Sequence, residues 1–439
     1  MHTLIKRVFL MVAIGALSCA VSIAAGLSAD EQAMVEWIDE HAEESIDLLE
    51  ELVNIGSGTM NHDGVRKVGD VLRTELDEIG MDTEWIELPA ETQRAGHLVG
   101  RLEGTRGRKM VLIGHLDTVF ESSDEFQAFA RDGNIATGPG IDDMKSGNVV
   151  IVYALKALRE IAALDGARVA VIYTGDEEKT GKPLSVTRKD LIDAGKWADV
   201  GLGFESAMHF DGTDWATIAR RSSSEWRLQV TGKQAHSSKI FRDDFGAGAV
   251  FEAARIISAF YDEVRGEEHL TFNAGTILGG TDVEYDFEQN KGTTFGKTNV
   301  IPHKAIVHGG LRAISLEQLE RAKESMRAIV ARNLPHTDAS ITFTDSYPPM
   351  FPTEGNKRLQ QKLSDINEAL GRGAMPALDP SRRGAADVSF VAPYTDALAG
   401  LGAIGKGGHT PHESLELDSM PLAIKRAAIL IYRLSREEM

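Results

Sequence analysis

The sequence predicts an α/β protein: a mixed, mostly parallel sheet flanked by helices, with a small ferredoxin-like α+β unit inserted near its middle. Three observations predict it. Short apolar runs alternate with stretches of helical periodicity over residues 109–204, the pattern of strand–helix–strand units. After about residue 212 the order becomes β-α-β-β-α-β, that of a ferredoxin-like sandwich. A chain of 439 residues exceeds what one ordinary core encloses, so two domains are expected.

Residues 30–80 read as helical, because Met34, Trp37 and Ile38, then Ile46, Leu49 and Leu52, recur at helical spacing, and 65–79 repeats the pattern. Residues 109–114 (KMVLIG) are a short apolar run of strand character. Residues 145–163 read as a helix, and 167–174 (ARVAVIYT) and 199–204 as strands. In the second unit, 225–231 (EWRLQVT) alternates like a half-exposed strand. Residues 246–264 are helical, 269–277 and 299–311 strand-like, 316–333 helical and 340–344 a strand. The α/β character resumes after Tyr347-Pro348-Pro349. The expected organisation is 30–212 and 347–439 as two parts of one domain, with 213–346 inserted between them. There is no internal repeat and no low-complexity linker.

The first 25 residues are not expected to belong to the fold. Lys6 and Arg7 precede an apolar run over 8–17, and small residues follow as far as Ser22-Ile23-Ala24-Ala25. That is the layout of a secretory signal peptide. An uncleaved anchor is the alternative, because the apolar character continues to about residue 25 and approaches spanning length. Ala16-Leu17-Ser18 is a poor match to a lipoprotein signal. Cleavage near Ala25 would remove Cys19, the one cysteine. No other segment is long and apolar enough to span a membrane. The expected compartment is the periplasm or outside.

Composition narrows the function. Hydrophobic residues make up 42% and charged residues 26%, which excludes a mostly disordered or collagen-like chain. Asp and Glu outnumber Lys and Arg by 66 to 47, a net charge of -19. So acidic a chain without a Lys/Arg run argues against a nucleic-acid partner. A single cysteine excludes a disulfide framework and a four-cysteine zinc site.

Carboxylates and histidines gather where strands are expected to end, which is where open α/β sheets place their sites. Gly114-His115-Leu116-Asp117 puts an imidazole at a strand end and a carboxylate two residues on. A metal-binding imidazole usually donates its other N–H to such a group. Gly138-Pro139-Gly140-Ile141-Asp142-Asp143-Met144-Lys145 combines a tight turn with two acids ahead of a helix. Simple helix capping by either acid also fits that segment. Thr174-Gly175-Asp176-Glu177-Glu178 places three acids after a buried-looking strand, costly there unless a cation compensates them. A solvated acidic loop is the alternative. Gly203-Phe204-Glu205 ends another apolar run, and Gly407-Gly408-His409-Thr410-Pro411-His412-Glu413 lies near the C-terminus. Each is weak alone. Together they supply imidazoles and carboxylates enough for two metals if one carboxylate bridges, with oxygen and nitrogen donors that suit zinc and leave cobalt or manganese possible.

From about residue 30 to the C-terminus, these segments resemble in order the co-catalytic zinc exopeptidase family of glutamate carboxypeptidase, aminoacylase and succinyl-diaminopimelate desuccinylase. The glutamate carboxypeptidases are most similar in the G-P-G-I turn and Glu205. The resemblance implies a zinc exopeptidase fold whose insertion is a lid and dimerisation domain. It implies two zinc ions per subunit, with His115 on one, His409 on the other, Asp143 bridging, and Glu178 and Glu205 completing the set. Asp143 is preferred to Asp142 because Met144-Lys145 follows it. The peptide bond after the bridging acid is often cis in relatives. Glu177 would be the general base and Asp117 the partner of His115. In the insertion, His236 matches the lid histidine that reaches the partner subunit's site in relatives and stabilises the tetrahedral intermediate. Asn299 and Arg312 match residues that hold substrate there, and a guanidinium suits a substrate carboxylate.

Some departures stand. His412 occupies a position where many relatives carry Asn, so it competes with His409, which is favoured by its place after the glycine run. Ser237-Ser238 replaces the usual small-residue and proline pattern after His236, and His303 replaces a usual acid. Arg383-Gly384-Ala385-Ala386-Asp387 resembles a glycine-containing substrate loop. The expected activity is that of a metal-dependent exopeptidase, hydrolysis of the amide bond to a C-terminal or N-acylated amino acid by a water that the two zinc ions would activate. An N-acyl-amino-acid hydrolase with the same machinery is the alternative. A non-catalytic binding protein is disfavoured by Glu177, which pure binding does not need. A Glu177–Glu178 glycosidase pair is disfavoured because adjacent side chains point apart. A homodimer is expected, since a two-fold assembly lets each His236 complete the other site.

Overall fold

Three helices open the described part of this computed structural model, which covers residues 26–287 and 289–438. The secretory segment proposed for residues 1–25 lies outside it. Helix α1 (Ala29–Glu40) starts at a capping box, in which Ser28 accepts from the Glu31 amide and Glu31 accepts from the Ser28 amide. Helices α2 (Ala42–Val53) and α3 (His62–Ile79) follow, and α3 stops at Gly80, whose φ of 94° suits glycine.

The main sheet is built from β1 (Asp82–Ile86), β2 (His97–Leu102), β3 (Arg106–His115), β4 (Ala167–Thr174), β5 (Val200–Gly203) and a last strand, Asp396–Leu398. Its order is β1-β2-β4-β3-β5 and then 396–398. β3 is parallel to both neighbours, and 396–398 is parallel to β5. β1 and β2 are antiparallel at one edge. Both faces are covered, which is why β3 and β4 read as continuous apolar runs. Met110 and Leu112 join the core formed with α1 to α3, while Val111 and Ile113 join a second core with Leu191, Val388 and Phe390. Helix α4 (Ser146–Glu160) leads from the predicted acidic turn to β4, and α5 (Lys189–Trp197) leads from β4 to β5.

The insertion comprises β6 (Ser223–Gly232), α6 (Ala249–Glu263), β7 (Thr271–Gly280), β8 (Asp282–Asp286), β9 (Lys291–Phe295), β10 (Lys304–Arg312), α7 (Leu316–Val330) and β11 (Thr337–Tyr347). β7, β10, β6 and β11 form an antiparallel sheet in that order. Trp226, Leu228 and Val230 are buried with Ile256, Phe260 and Met326 of the two helices. Glu225, Gln229 and Thr231 are exposed, as the alternation requires. The chain enters and leaves this layer side by side: Arg220 and Met350 exchange main-chain hydrogen bonds of 3.0 and 2.9 Å. Helices α8 (Glu354–Ala369) and α9 (Ser419–Leu434) finish the main layer, with α9 packed on α4 and α1.

Three local expectations change. β1 and β2 were not anticipated. The β8–β9 hairpin extends the simple β-α-β-β-α-β order. Residues 299–303 are a loop rather than the start of a strand, and Pro302 has no N–H to give a ladder. No helix among the described residues is long and apolar enough to cross a membrane.

Candidate metal centre and active site

The carboxyl ends of β3, β4 and β5 converge. β3 delivers His115, β4 leads into Asp176, Glu177 and Glu178, and β5 leads into Glu205. The turn Ile141–Lys145 brings in Asp143, whose φ and ψ depart from helical values, and the Asp143–Met144 peptide is cis. The buried Glu413 secures this turn. Its Oε1 accepts from the amides of Asp142 (2.8 Å) and Asp143 (2.9 Å), and its Oε2 from that of Gly140 (3.2 Å). Burial pushes the Glu413 carboxyl up to about 7 against those bonds. Lys145 is buried beneath the turn and donates to Ile55 O at 2.9 Å; burial holds it down to about 7.

His115, Asp143 and Glu178 offer donor atoms that all lie within 4.8 Å of one another. Asp143 faces two imidazoles: Oδ1 is 3.1 Å from His115 Nε2, and Oδ2 is 3.3 Å from His409 Nε2. His409 Nε2 is also 3.1 Å from Glu178 Oε2. It reaches this point from a residue with φ 64° in the glycine-rich C-terminal loop. The His412 amide donates to Thr410 Oγ1, and among the described residues its side chain has no hydrogen bond to the cluster.

The electrostatics follow from crowding. Hydrogen bonds to Asp143 and then Glu178 push the His409 imidazole up to about 11. Burial, countered by His409 and reinforced by Asp143, raises the Glu178 carboxyl to about 7. Burial also drives Glu177 well above the usual carboxylate range; His115 opposes this, and Asp387, Glu205 and Glu178 add to it. A cation would relieve this excess of acids. The fit has a second sign: Glu178 Oε1 is buried with no hydrogen-bond partner among the described residues, and a buried oxygen left so is costly. Imidazole and carboxylate donors without thiolate suit a divalent ion.

Asp117 and Glu205 each have further partners. The His115 Nδ1 hydrogen bond goes to the main-chain oxygen of Asp117 at 2.9 Å, while the Asp117 carboxylate lies 3.5 Å away. That carboxylate also accepts from the Thr59 hydroxyl and the amides of Glu177 and Glu178, at 2.6, 3.0 and 3.1 Å. Glu205 borders the same cavity as His115, but its Oε2 is held by Arg220 at 2.6 Å, with Arg383 at 3.7 Å. Asp176 faces inward to Arg188 at 2.5 Å.

His236 and Asn299 lie together on one exposed loop pair. Ser237 N donates to Asn299 O at 2.9 Å and Ile301 N to Ala235 O at 2.8 Å. Neither side chain bonds to the cluster within this chain among the described residues. Arg312 ends β10, and its Nη1 is buried without a hydrogen-bond partner. Sequence reasoning gave no role to Glu413, Arg220 or Tyr347. Glu413 alone had a signal, as the acid that closes the His409 segment. A cavity of about 670 Å³ lined by Arg101, Lys109, Arg168 and Trp197 shares no residue with the cluster, so chemistry rather than volume marks the site.

The profile described as Peptidase family M20/M25/M40 matches residues 111–433. Carboxypeptidase G2 of Pseudomonas sp. (strain RS-16) is 28% identical over 392 residues, covering 88% of each chain. Succinyl-diaminopimelate desuccinylase of Xanthomonas oryzae pv. oryzae (strain MAFF 311018) is 24% identical over 333 residues, covering 72% of this chain and 82% of its own. An M20-family metallo-carboxypeptidase from Sulfolobus solfataricus superposes with a TM-score of 0.65 at 16% identity, covering 90% of this chain and 99% of its own.

Proposed function

From a chain that belongs to Peptidase family M20/M25/M40, and is thereby a hydrolase of peptide or amide bonds, we propose a two-metal exopeptidase that releases a C-terminal amino acid. The observation that carries this reading is Asp143, which offers one oxygen toward each of two imidazoles beside a partnerless Glu178 oxygen. His115, Asp143, Glu178, Glu205 and His409 would hold two zinc ions, with cobalt or manganese as alternatives and Asp143 shared. Both guanidinium contacts of Glu205 fall on Oε2, which leaves its other oxygen for an ion. Bound there, the ions supply Lewis acidity to a water and to the scissile carbonyl.

The chain's own groups do the rest. Glu177 takes the proton from the attacking water and returns it to the leaving amine. Asp117 holds the amides of both glutamates and so orients the loop that bears them. Arg312 and Asn299 orient the substrate carboxylate, and His236 of the partner subunit donates to the oxygen that gains charge. Export, carried by the charged and apolar start of the sequence, is part of the proposal.

The test is release of amino acids from a panel of N-acyl amino acids, glutamyl conjugates and dipeptides, with and without chelator. Chelator-sensitive release of one amino acid is expected, and the accepted panel member separates a carboxypeptidase from an acyl-amino-acid hydrolase. Glu177→Gln should lose at least about 100-fold in kcat while keeping its metal. Near-normal turnover by that variant would overturn the assignment of the base.

A further inference from the structure

Tyr347 is the last residue of β11, where the chain returns from the inserted layer to the main one. Its hydroxyl donates to the main-chain oxygen of Glu177 at 2.9 Å. The same phenol oxygen lies 3.3 Å from Thr180 Oγ1 and accepts from Arg188 Nη2 at 3.4 Å. Arg188 is buried and anchored by Asp176 at 2.5 Å and Asp387 at 3.0 Å. The tyrosine ring is braced by Phe390, 5.1 Å away between centroids.

The other side of Glu177 is held as firmly, since its amide donates to Asp117 Oδ1 at 3.0 Å. The peptide groups before and after Glu177 therefore each end on a partner with fixed surroundings. One partner comes from the loop after β3 and the other from the last strand of the insertion. A group that moves protons works only when held within about 0.5 Å of its productive place by supporting contacts. The second crossing behaves alike: Arg220, next to the start of β6, holds Glu205. Both connections between the layers thus carry a side chain that ends on the site.

We infer that Tyr347 is a positioning residue for the hydrolysis. Its phenol aligns Glu177 and ties that alignment to the seating of the inserted layer. This rests on Glu177 being the base. Tyr347→Phe removes only the hydroxyl: the ring keeps Phe390, and Arg188 keeps both carboxylates, so the fold is retained. The expected result is a fall of about ten-fold in kcat, as loss of one aligning hydrogen bond implies. KM should stay within about two-fold, with metal content unchanged and at most a small fall in Tm. A purely structural role would lower Tm or metal content and leave kcat per loaded site intact.

The inference is overturned if kcat of Tyr347→Phe stays within about two-fold of the native enzyme, or if the loss tracks lost metal. Glu177→Gln in the same assay separates the two levels. An inactive Glu177→Gln beside a fully active Tyr347→Phe rejects the positioning role alone. An active Glu177→Gln rejects the base, and the positioning role with it.

Discussion

Asp143 presents one carboxylate oxygen to His115 and the other to His409, so the two imidazoles are not equivalent surface groups but opposite walls of one site. His409 is more than half exposed, yet its Nε2 points at Asp143 and Glu178, while His412 three residues on has, among the described residues, no side-chain hydrogen bond to the cluster. His409→Ala should therefore lose about one bound metal per chain and nearly all activity, since three-ligand sites tolerate no missing ligand well. His412→Ala should keep both; metal analysis of the purified variants with a rate assay reads the difference, and equal losses would return the choice to open. The ligand candidates His115, Asp143, Glu178 and His409 were legible because each follows a strand run or a glycine turn. Their supports were not legible. Arg220 and Tyr347 act on residues 15 and 170 positions away, and no local spacing announces such a contact. Asp117 keeps its carboxylate 3.5 Å from His115 Nδ1 as the sequence suggests, but its second task, accepting from the amides of Glu177 and Glu178, has no local signal.

Between elements, a polar pin joins Asp214, in the hairpin of Met208–Phe210 with Thr213–Trp215, to α8 and α9. Asp214 is bonded by Arg426, by His209 at 2.6 Å and by Asn367 at 3.3 Å, and Arg426 Nε holds Asn367 at 2.8 Å. Burial alone would raise the Asp214 carboxyl, but Arg426, then His209 and Asn367, outweigh it and keep it below its ordinary 3.8. A folded value below the unfolded one means the stabilisation is whole above pH of about 4 and is lost as pH falls through the folded value. Asp214→Asn leaves Arg426 buried without its carboxylate and should cost about 3 kcal/mol at pH 7. The gap in Tm between the two proteins should narrow progressively as pH falls below about 4; a gap independent of pH would place the cost in packing. Element type was legible in β4, buried along nearly its whole length, and in β6, buried on one face; the equally buried but short β2 was not anticipated. Legibility failed for β1, whose DTEWI stays partly exposed and carries no apolar run. It failed too for the β8–β9 hairpin, whose polar second strand is exposed throughout. Residues 299–303 misled because Val300 and Ile301 look like a strand, whereas Ile301 is buried by the loop pairing with Ala235.

At the scale of the molecule, His236 sits on an exposed loop bonded to Ser238 and, among the described residues, makes no contact with the metal cluster of its own chain. The insertion also leaves an unsatisfied surface. β7 is an edge strand of its sheet, and edges offer unpaired main-chain groups. Ile277 on β7 and Val250, Phe251 and Tyr261 on α6 are exposed apolar side chains beside it. A two-fold contact through this edge and helix would cover them and carry each His236 toward the other chain's metals. Complementation tests this directly. Chains with Glu177→Gln and chains with His236→Ala should each be nearly inactive alone. Mixed and re-equilibrated in equal amounts, they should form half heterodimers, each with one site that has both groups intact, giving about one quarter of native activity. Recovery requires that His236 act across the interface; a mixture no more active than its parts would confine His236 to its own chain, or to no catalytic role, and with it remove the reason to expect a dimer.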